Sequence, residues 1–205
     1  MSMFTYMNKL LALPLLVVMI LMSHGCSMGG QLLKEAESVK DTPKGEVIVV
    51  GEIELTPKLA EDEQQLDASG VIDLFGYGDM NKNRCMVQFN EKPEASNYKS
   101  MINPELGKIF AFKVPRDMRY IVNGSVLTEF TRHGNTGEIL LPAWFKIDIK
   151  PTDKAVYIGK IRYTRDDFNS ITKVELKDDY KKAKKYFTKK FGKQYKLRKS
   201  LIEDI

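Results

Sequence analysis

Histidine and cysteine are the side chains that proteins use most for nucleophilic catalysis and zinc binding, and this chain has two of each. They are His24, His133, Cys26 and Cys85. A serine nucleophile would need a histidine base with an acid behind it, and the chain has no Gly-x-Ser-x-Gly sequence after the run from Gly25 to Gly29, which lies beside the N-terminal apolar segment rather than between a strand and a helix. It also lacks the phosphate-binding Gly-x-x-x-x-Gly-Lys motif and a dinucleotide fingerprint. These absences argue against most hydrolase and nucleotide-binding classes.

Carboxylates are the remaining route to catalysis. They cluster in the stretch from Glu61 to Asp67 and in the pair Asp166 and Asp167. A glycosidase needs two facing carboxyls at a defined separation, which the spacing in a sequence does not show. Acidic turns are more often simply solvated, so a hydrolase that uses acidic residues stays an alternative hypothesis. We expect the protein not to be an enzyme.

A metal site is not expected either. Asp79, Asn81 and Asn83 have the spacing of the first ligands of a calcium loop. The pattern then fails, because Arg84 stands in the glycine position and Asn90 in the glutamate position. We predict a hairpin turn here, and nothing in the sequence indicates a cofactor.

A strongly basic run lies near the C-terminus. Between residues 181 and 199 there are ten basic and no acidic residues, whereas the whole chain has a net charge of only +5. Such a run could bind anionic lipid, an acidic glycan or an acidic envelope protein, or it could be a solvated face. Nucleic acid is not expected as a partner, because the N-terminal segment described next predicts export. The candidate contacts are Lys181, Lys182, Lys184, Lys185, Lys189, Lys190 and Lys193.

The N-terminal segment has the pattern of an export signal. The 13 uncharged residues from Leu10 to Met22 follow Lys9 and precede a small polar stretch. A membrane-spanning helix needs about 20 apolar residues, whereas a signal peptide needs about 7 to 15 after a positive region. We therefore predict that residues 1–25 are a signal peptide.

The stretch Ser23-His24-Gly25-Cys26 resembles the lipobox of bacterial lipoproteins. The resemblance implies that Cys26 is acylated and becomes the N-terminus of a lipid-anchored protein in the cell envelope. Ser27 implies the outer membrane in a bacterium with two membranes. Ordinary secretory cleavage and an uncleaved signal anchor are the alternatives. Acyl chains would supply the anchoring, since each buried methylene contributes about 0.8 kcal/mol.

The rest of the chain divides by composition. Residues 26–45 are rich in Gly, Ser and charges, which favours a flexible tether with one or two loose helical turns over Leu32 to Val39. Residues 46–192 are predicted to form the folded domain, and residues 193–205 a basic tail. Cys85 lies in an apolar run, which favours a buried structural thiol.

The folded domain reads as mainly β. Short apolar runs that alternate with period two are separated by polar turns, and no long helical pattern lies between them. This pattern favours an antiparallel β-sandwich of about seven or eight strands over an alternating parallel fold. The predicted strands span residues 46–55, 71–76, 84–90, 108–114, 119–130, 138–149, 155–164 and 170–176.

A single amphipathic helix is predicted after the strands, from Asp179 to Phe191. Asp178 and Asp179 can cap its N-terminus, and Gly192 can end it. The apolar stripe recurs every three or four positions, at Tyr180, Ala183, Phe187 and Phe191.

The segment from Leu140 to Gly192 contains Leu141-Pro142 and Val156-Tyr157-Ile158-Gly159. With these residues it resembles the closing part of transthyretin-like and carboxypeptidase-regulatory-like β-sandwich lipoproteins. The resemblance implies a binding or scaffolding module and carries no catalytic residue across. The sequence thus predicts a lipid-anchored envelope protein that acts as a binding or structural module. Such a module could bind another envelope protein or be a component of an envelope assembly.

Overall fold

The chain folds mainly into β-strands, with one α-helix in the part of the chain that the structure describes. The structure is a computed structural model that describes residues 30–63, 83–94, 99–130 and 135–205. The helix α1 is Tyr180–Phe191, and a 3-10 turn is Glu61–Glu63. The strands are β1 (Gln31–Leu32), β2 (Glu46–Thr56), β3 (Met86–Asn90), β4 (Ser100–Ile102), β5 (Ile109–Pro115), β6 (Tyr120–Phe130), β7 (Asn135–Leu141), β8 (Phe145–Lys146), β9 (Ala155–Arg165), β10 (Ile171–Lys177), β11 (Arg198–Lys199) and β12 (Glu203–Asp204).

These strands form two sheets. Sheet A has the order β1-β4-β3-β6-β8-β12, and β7 also pairs with β6. Sheet B has the order β10-β9-β2-β5, and β11 also pairs with β9. One core cluster contains buried side chains of both sheets, so they pack face to face in a sandwich-like arrangement. Representative core residues are Val87, Phe89, Ile121 and Val126 of sheet A and Val49, Ile53, Phe112 and Ile161 of sheet B.

The predicted mainly β fold is confirmed, but both sheets are mixed rather than antiparallel. Strands β2 and β9 are parallel over nine aligned residue pairs at the centre of sheet B. Strand β1 is also parallel to β4, and β11 is parallel to β9. Period-two alternation shows that a segment is a strand, but it contains no information on the direction of its partner. Strands that are distant in the sequence can therefore pair in parallel without any local signal.

The described residues also contain more strands than the eight predicted, and one predicted strand is divided. The predicted strand 138–149 is wrong as a continuous element, because β7 ends at Leu141 and β8 covers only Phe145–Lys146. Ile147 and Ile149 are still buried, so their alternation reports burial without strand pairing. Strands of two or three residues, such as β1 and β4, are too short to show alternation. The predicted strand 71–76 lies outside the described residues.

The outer face of sheet B is covered at one end by α1. Ile48 and Val50 of β2 and Tyr157 of β9 pack in a second cluster with Phe187 and Phe191 of α1. At this end β2 is therefore buried on both faces, which accounts for the unbroken apolar run at residues 47–50. The domain has three layers here: sheet A, sheet B and α1.

A β-bulge in β9 sets which side chains face the core. The register between β2 and β9 shifts after Val50, where Val50 pairs with Tyr157 and the next residue, Gly51, pairs with Gly159. Gly159 has a φ of 109°, which glycine adopts without strain. Because of the extra residue, Ile158 and Ile161 both lie in the core between the sheets although they are three positions apart in β9.

Both segments flanking the predicted domain pack on it in the structure. In the predicted tether, Leu33, Ala36 and Val39 are buried, and the predicted helical turns over 32–39 are wrong. These residues instead lie along the sheets, because the Leu33 N–H donates to the carbonyl of Met101 in β4 and the Ala36 N–H donates to the carbonyl of Ala111 in β5. In the predicted tail, β11 joins sheet B and β12 joins sheet A.

No helix in the described ranges has both the length and the apolar character needed to cross a membrane.

The tight packing between β2, β5 and β9 predicts the effect of a single methyl group. A Cβ at Gly51 would lie 2.7 Å from Cζ of the Phe110 ring and 3.0 Å from Cγ1 of Ile158. We expect Gly51→Ala to lower the free energy of unfolding by about 1–3 kcal/mol, because both neighbours are buried in the core. Urea denaturation followed by circular dichroism measures this change.

Gly45→Ala is the matched control, because a Cβ at Gly45 would have no atom within 4 Å. We expect this variant to differ from the wild type by less than about 0.5 kcal/mol. Equal stability of the Gly51→Ala variant and the wild type would contradict the described packing.

Candidate functional site

Helix α1 presents the basic run and is fixed by its apolar face. Ala183, Phe187 and Phe191 are buried against sheet B, as the periodicity predicts. The Asp178 carboxylate accepts a hydrogen bond from the Tyr180 backbone N–H at 3.1 Å, whereas Asp179 makes no side-chain cap. The predicted capping is thus confirmed for Asp178 only. The lysines of α1 lie outside this buried face and are exposed.

Two tyrosines fasten the start of α1 to the sheet and to the C-terminal segment. The Tyr157 hydroxyl accepts a hydrogen bond from the Asp179 backbone N–H at 2.9 Å, and its ring lies 5.7 Å from the Tyr180 ring. Burial raises the pKa of Tyr157 to about 12, so this phenol is neutral at physiological pH. The Tyr180 hydroxyl donates to the carbonyl of Leu197 at 2.6 Å. The start of the helix is therefore bonded both to sheet B and to the segment after the helix.

Several residues of the basic run form ion pairs within the protein. The Lys182 ammonium lies 2.8 Å from Glu52, and the Lys190 ammonium lies 3.8 Å from Glu35. Lys190 also lies 5.5 Å above the centre of the Phe191 ring. These contacts hold Lys182 and Lys190 against the domain, so they are poorer contacts for a partner than the sequence predicts.

Glu52 is the acidic centre of a charge cluster that the sequence reasoning missed. Its side chain is 5% exposed and binds Lys160 at 2.9 Å as well as Lys182. Glu54 pairs with Lys160 and Arg162, and the Lys160 hydrogen bond keeps the pKa of Glu54 below its ordinary value. Only the alternation of acids with Ile53 and Leu55 in β2 could have indicated that these acids share the outer face.

Within residues 181–199, six lysines have no ion pair to the described part of the chain, and we call them the basic surface. All six are exposed. Five were predicted as contacts, and Lys196 adds to them from the segment after the helix. The basic surface consists of Lys181, Lys184, Lys185, Lys189, Lys193 and Lys196.

Three of these lysines line an open cavity of about 440 Å³, which we call the C-terminal cleft. One wall is the helix face with Tyr180, Lys184, Phe187 and Thr188, and the other wall is residues 193–197. None of these lining residues is acidic. The cleft thus combines an apolar floor with three unpaired positive charges. Its volume falls within the range of about 300–1,000 Å³ that is usual for small-molecule sites.

The turn after α1 shapes the second wall of the cleft. Gly192 ends the helix with a φ of 98°, and its N–H donates to the Thr188 carbonyl at 3.0 Å. A Cβ at Gly192 would lie 2.4 Å from the Gln194 side chain, so glycine leaves room for the Gln194 amide. The chain can then turn back toward β11.

Arg198 anchors the end of this wall. Its guanidinium binds both oxygens of Asp153 at 2.8 and 2.7 Å and lies 3.3 Å from the Asp148 carboxylate. Burial by itself would raise the pKa of Asp153, but hydrogen bonds from Arg198 and from the Lys150 N–H outweigh it and lower the pKa. Lys199 pairs with Asp178. Arg198 and Lys199 therefore stabilise the fold and are not part of the basic surface.

The thiol and the metal candidates have structural surroundings where the structure describes them. Cys85 is buried, and burial raises its pKa to about 12, which suits a structural thiol. The Asn83 amide donates to the Leu106 carbonyl at 3.2 Å. Across the described ranges, no group of three His, Cys, Asp or Glu side chains could hold a metal ion. Cys26, His133 and residues 79–82 lie outside the described residues.

Two of the described acidic candidates for catalysis, Glu63 and Asp166, have structural roles. Glu63 forms a two-point ion pair with Arg165, with both contacts at 2.7 Å. One carboxylate oxygen of Asp166 accepts backbone hydrogen bonds from Phe168 and Ser170, which closes the turn between β9 and β10. Residues 64–67 lie outside the described residues. Nothing in this geometry supports a pair of acids facing a substrate.

The chain has no significant match to a family model, to a curated protein sequence or to a solved structure. The basic surface and the C-terminal cleft are therefore the features from which we infer a function.

The Arg198–Asp153 pair predicts how stability depends on pH. An acid whose pKa is lower in the folded state stabilises the fold above its unfolded pKa and loses this effect as the pH falls toward the folded pKa. We expect Asp153→Asn to lower the free energy of unfolding by about 2 kcal/mol at pH 7. The difference from the wild type should shrink as the pH falls below about 4.

Urea denaturation at a series of pH values measures this difference. Asp167→Asn is the control, because Asp167 is exposed and has no ion pair in the described part of the chain. Its difference from the wild type should stay small at every pH. A pH-independent difference for Asp153→Asn would contradict the stabilising charge on Asp153.

Proposed function

We propose that this protein is a lipid-anchored envelope module without enzymatic activity that binds an acidic envelope component through the basic surface. The observation that carries the proposal is the separation of the basic residues into two groups. Lys182, Lys190, Arg198 and Lys199 are paired with acids of the domain, and the six lysines of the basic surface are not. The unpaired charges are exposed on one element and the turn that follows it, where a partner can reach them.

The lipobox-like stretch at Cys26 supports the proposed location. Strand β1 begins at Gln31, five residues after Cys26. Five residues span at most about 18 Å even when fully extended. An acyl group on Cys26 would therefore hold the domain close to the lipid surface. The proposed partner must then lie near the membrane in which the protein is anchored, and we propose the outer membrane.

The mainly β arrangement with two packed sheets supports a binding or scaffolding role rather than catalysis. In the finer form of the proposal, the two sheets and α1 are a rigid β-sandwich scaffold that presents the basic surface. Of the acids that the alternative hydrolase hypothesis could use, Glu63 is engaged by Arg165 and Asp166 by backbone N–H groups. The basic surface, in contrast, has no internal partner that would account for it.

Neutralising the basic surface tests the proposal. We expect a variant with all six of its lysines replaced by glutamine to bind acidic envelope material at least about tenfold more weakly, because each lysine near an anionic surface contributes about 1 kcal/mol. The full chain, purified in detergent and immobilised, is incubated with solubilised envelopes at moderate salt. Uronic acid and phosphate in the eluted material are then quantified.

The control variant replaces six exposed lysines elsewhere and changes the net charge by the same amount. They are Lys40, Lys44, Lys58, Lys92, Lys150 and Lys154. We expect this variant to capture acidic material nearly as well as the wild type. If the basic-surface variant captures as much acidic material as the wild type, the proposed function is refuted. If both variants lose capture equally, binding depends on net charge alone and the basic surface is not the binding site.

A further inference from the structure

We propose that the C-terminal cleft binds an acidic sugar, that is, a pyranose ring bearing a carboxylate or a phosphate. This inference rests on the proposed function and names the chemistry of the ligand. The basic surface is divided between two settings. Lys184, Lys193 and Lys196 line the cleft, whereas Lys181, Lys185 and Lys189 lie on α1 outside it. Only the three lysines of the lining can surround a ligand bound in the cleft. The other three can contact only a partner that lies against the outside of α1.

The floor and walls of the cleft suit a ring with an apolar face. Phe187 and Leu197 are buried beneath it, and Tyr180 and Tyr195 are partly buried at its sides. Tyrosine has an apolar ring and a polar tip, and it can pack on the C–H face of a sugar while its hydroxyl stays hydrated. A small anion alone would make no contact with this apolar lining.

Hydrogen-bonding groups at the cleft match the hydroxyl groups of a sugar. The Thr188 hydroxyl and the Gln194 amide both lie in the lining. The Tyr180 hydroxyl is already engaged with the Leu197 carbonyl, so it holds the walls together rather than binding a ligand. The lysines supply the charge for an acidic substituent, and no acid of the lining opposes it.

The shape of the cleft favours a sugar over a lipid headgroup layer. A planar membrane surface meets convex, outward-pointing lysines such as Lys181, Lys185 and Lys189. A recess between a helix and a returning segment instead takes a unit that projects from a chain, such as one residue of an acidic glycan. The walls are held in place by Arg198 and Tyr180, so the recess is formed before the ligand arrives.

Isothermal titration calorimetry of the full chain in detergent tests the inference with four probes. Tri-galacturonic acid carries carboxylates, and glucose 6-phosphate carries a phosphate. Maltotriose is the neutral control of the same length as the first probe, and dihexanoyl phosphatidylglycerol supplies a lipid headgroup. We expect one acidic sugar to bind with 1:1 stoichiometry and at least about tenfold more tightly than maltotriose or the lipid.

Two matched triple variants then locate the site. We expect the cleft variant, Lys184→Gln with Lys193→Gln and Lys196→Gln, to lose at least about tenfold in affinity for that sugar. The control variant, Lys181→Gln with Lys185→Gln and Lys189→Gln, removes the same charge and should lose less than about threefold. Tyr195→Ala changes no charge and should also weaken binding about tenfold, with circular dichroism confirming that it is folded.

The outcomes separate this inference from the proposed function. The cleft inference is overturned if neither acidic sugar binds, if the lipid binds as tightly as the sugars, or if both triple variants lose affinity equally. Each of these results leaves the envelope capture experiment intact. Failure of that capture experiment would refute the proposed function itself.

Discussion

The parallel pairing of β2 with β9 is the constraint on which the rest of the structure depends. It places two strands that are distant in the sequence side by side at the centre of sheet B. One face of the pair closes the core with sheet A, and the other face receives α1. Along the outer face of this pair, the apolar residues under α1 are followed by the charged residues Glu52, Glu54 and Lys160. The bulge at Ile158 and Gly159 of β9 puts Lys160 on this face beside the two acids of β2. The position of the helix therefore follows from the sheet.

The location of the helix in turn decides which lysines are free. A lysine of α1 that reaches the outer face of sheet B forms an ion pair there, as Lys182 does with Glu52. Charges on the opposite side of α1 and on residues 193–197 find none in the part of the chain that is described. An ion pair at the surface contributes little to stability, typically below about 1 kcal/mol, so an unpaired lysine costs the fold almost nothing. Binding of an acidic partner offers a reason for keeping six of them together.

The sequence was sufficient for the elements with strong periodicity. The spacing of Ala183, Phe187 and Phe191 predicted α1 and its buried face, and alternation predicted the long strands β2, β6 and β9 closely. The strand directions could not be predicted, because side-chain alternation is the same in parallel and antiparallel pairs. The basic run could be recognised in the sequence, but its division into ion-paired and unpaired residues could not. Only the folded structure brings Glu52, 130 residues away, to Lys182 and forms a cleft behind Gly192.

We propose that an acylated Cys26 holds the domain at a lipid surface, and the mature N-terminus is the most direct place to test this. Cell fractionation followed by mass spectrometry of the N-terminal peptide is the measurement. We expect the protein in the membrane fraction, with a chain that begins at Cys26 and carries the mass of its acyl chains. An intact chain without acyl groups in the cytosol would contradict the account.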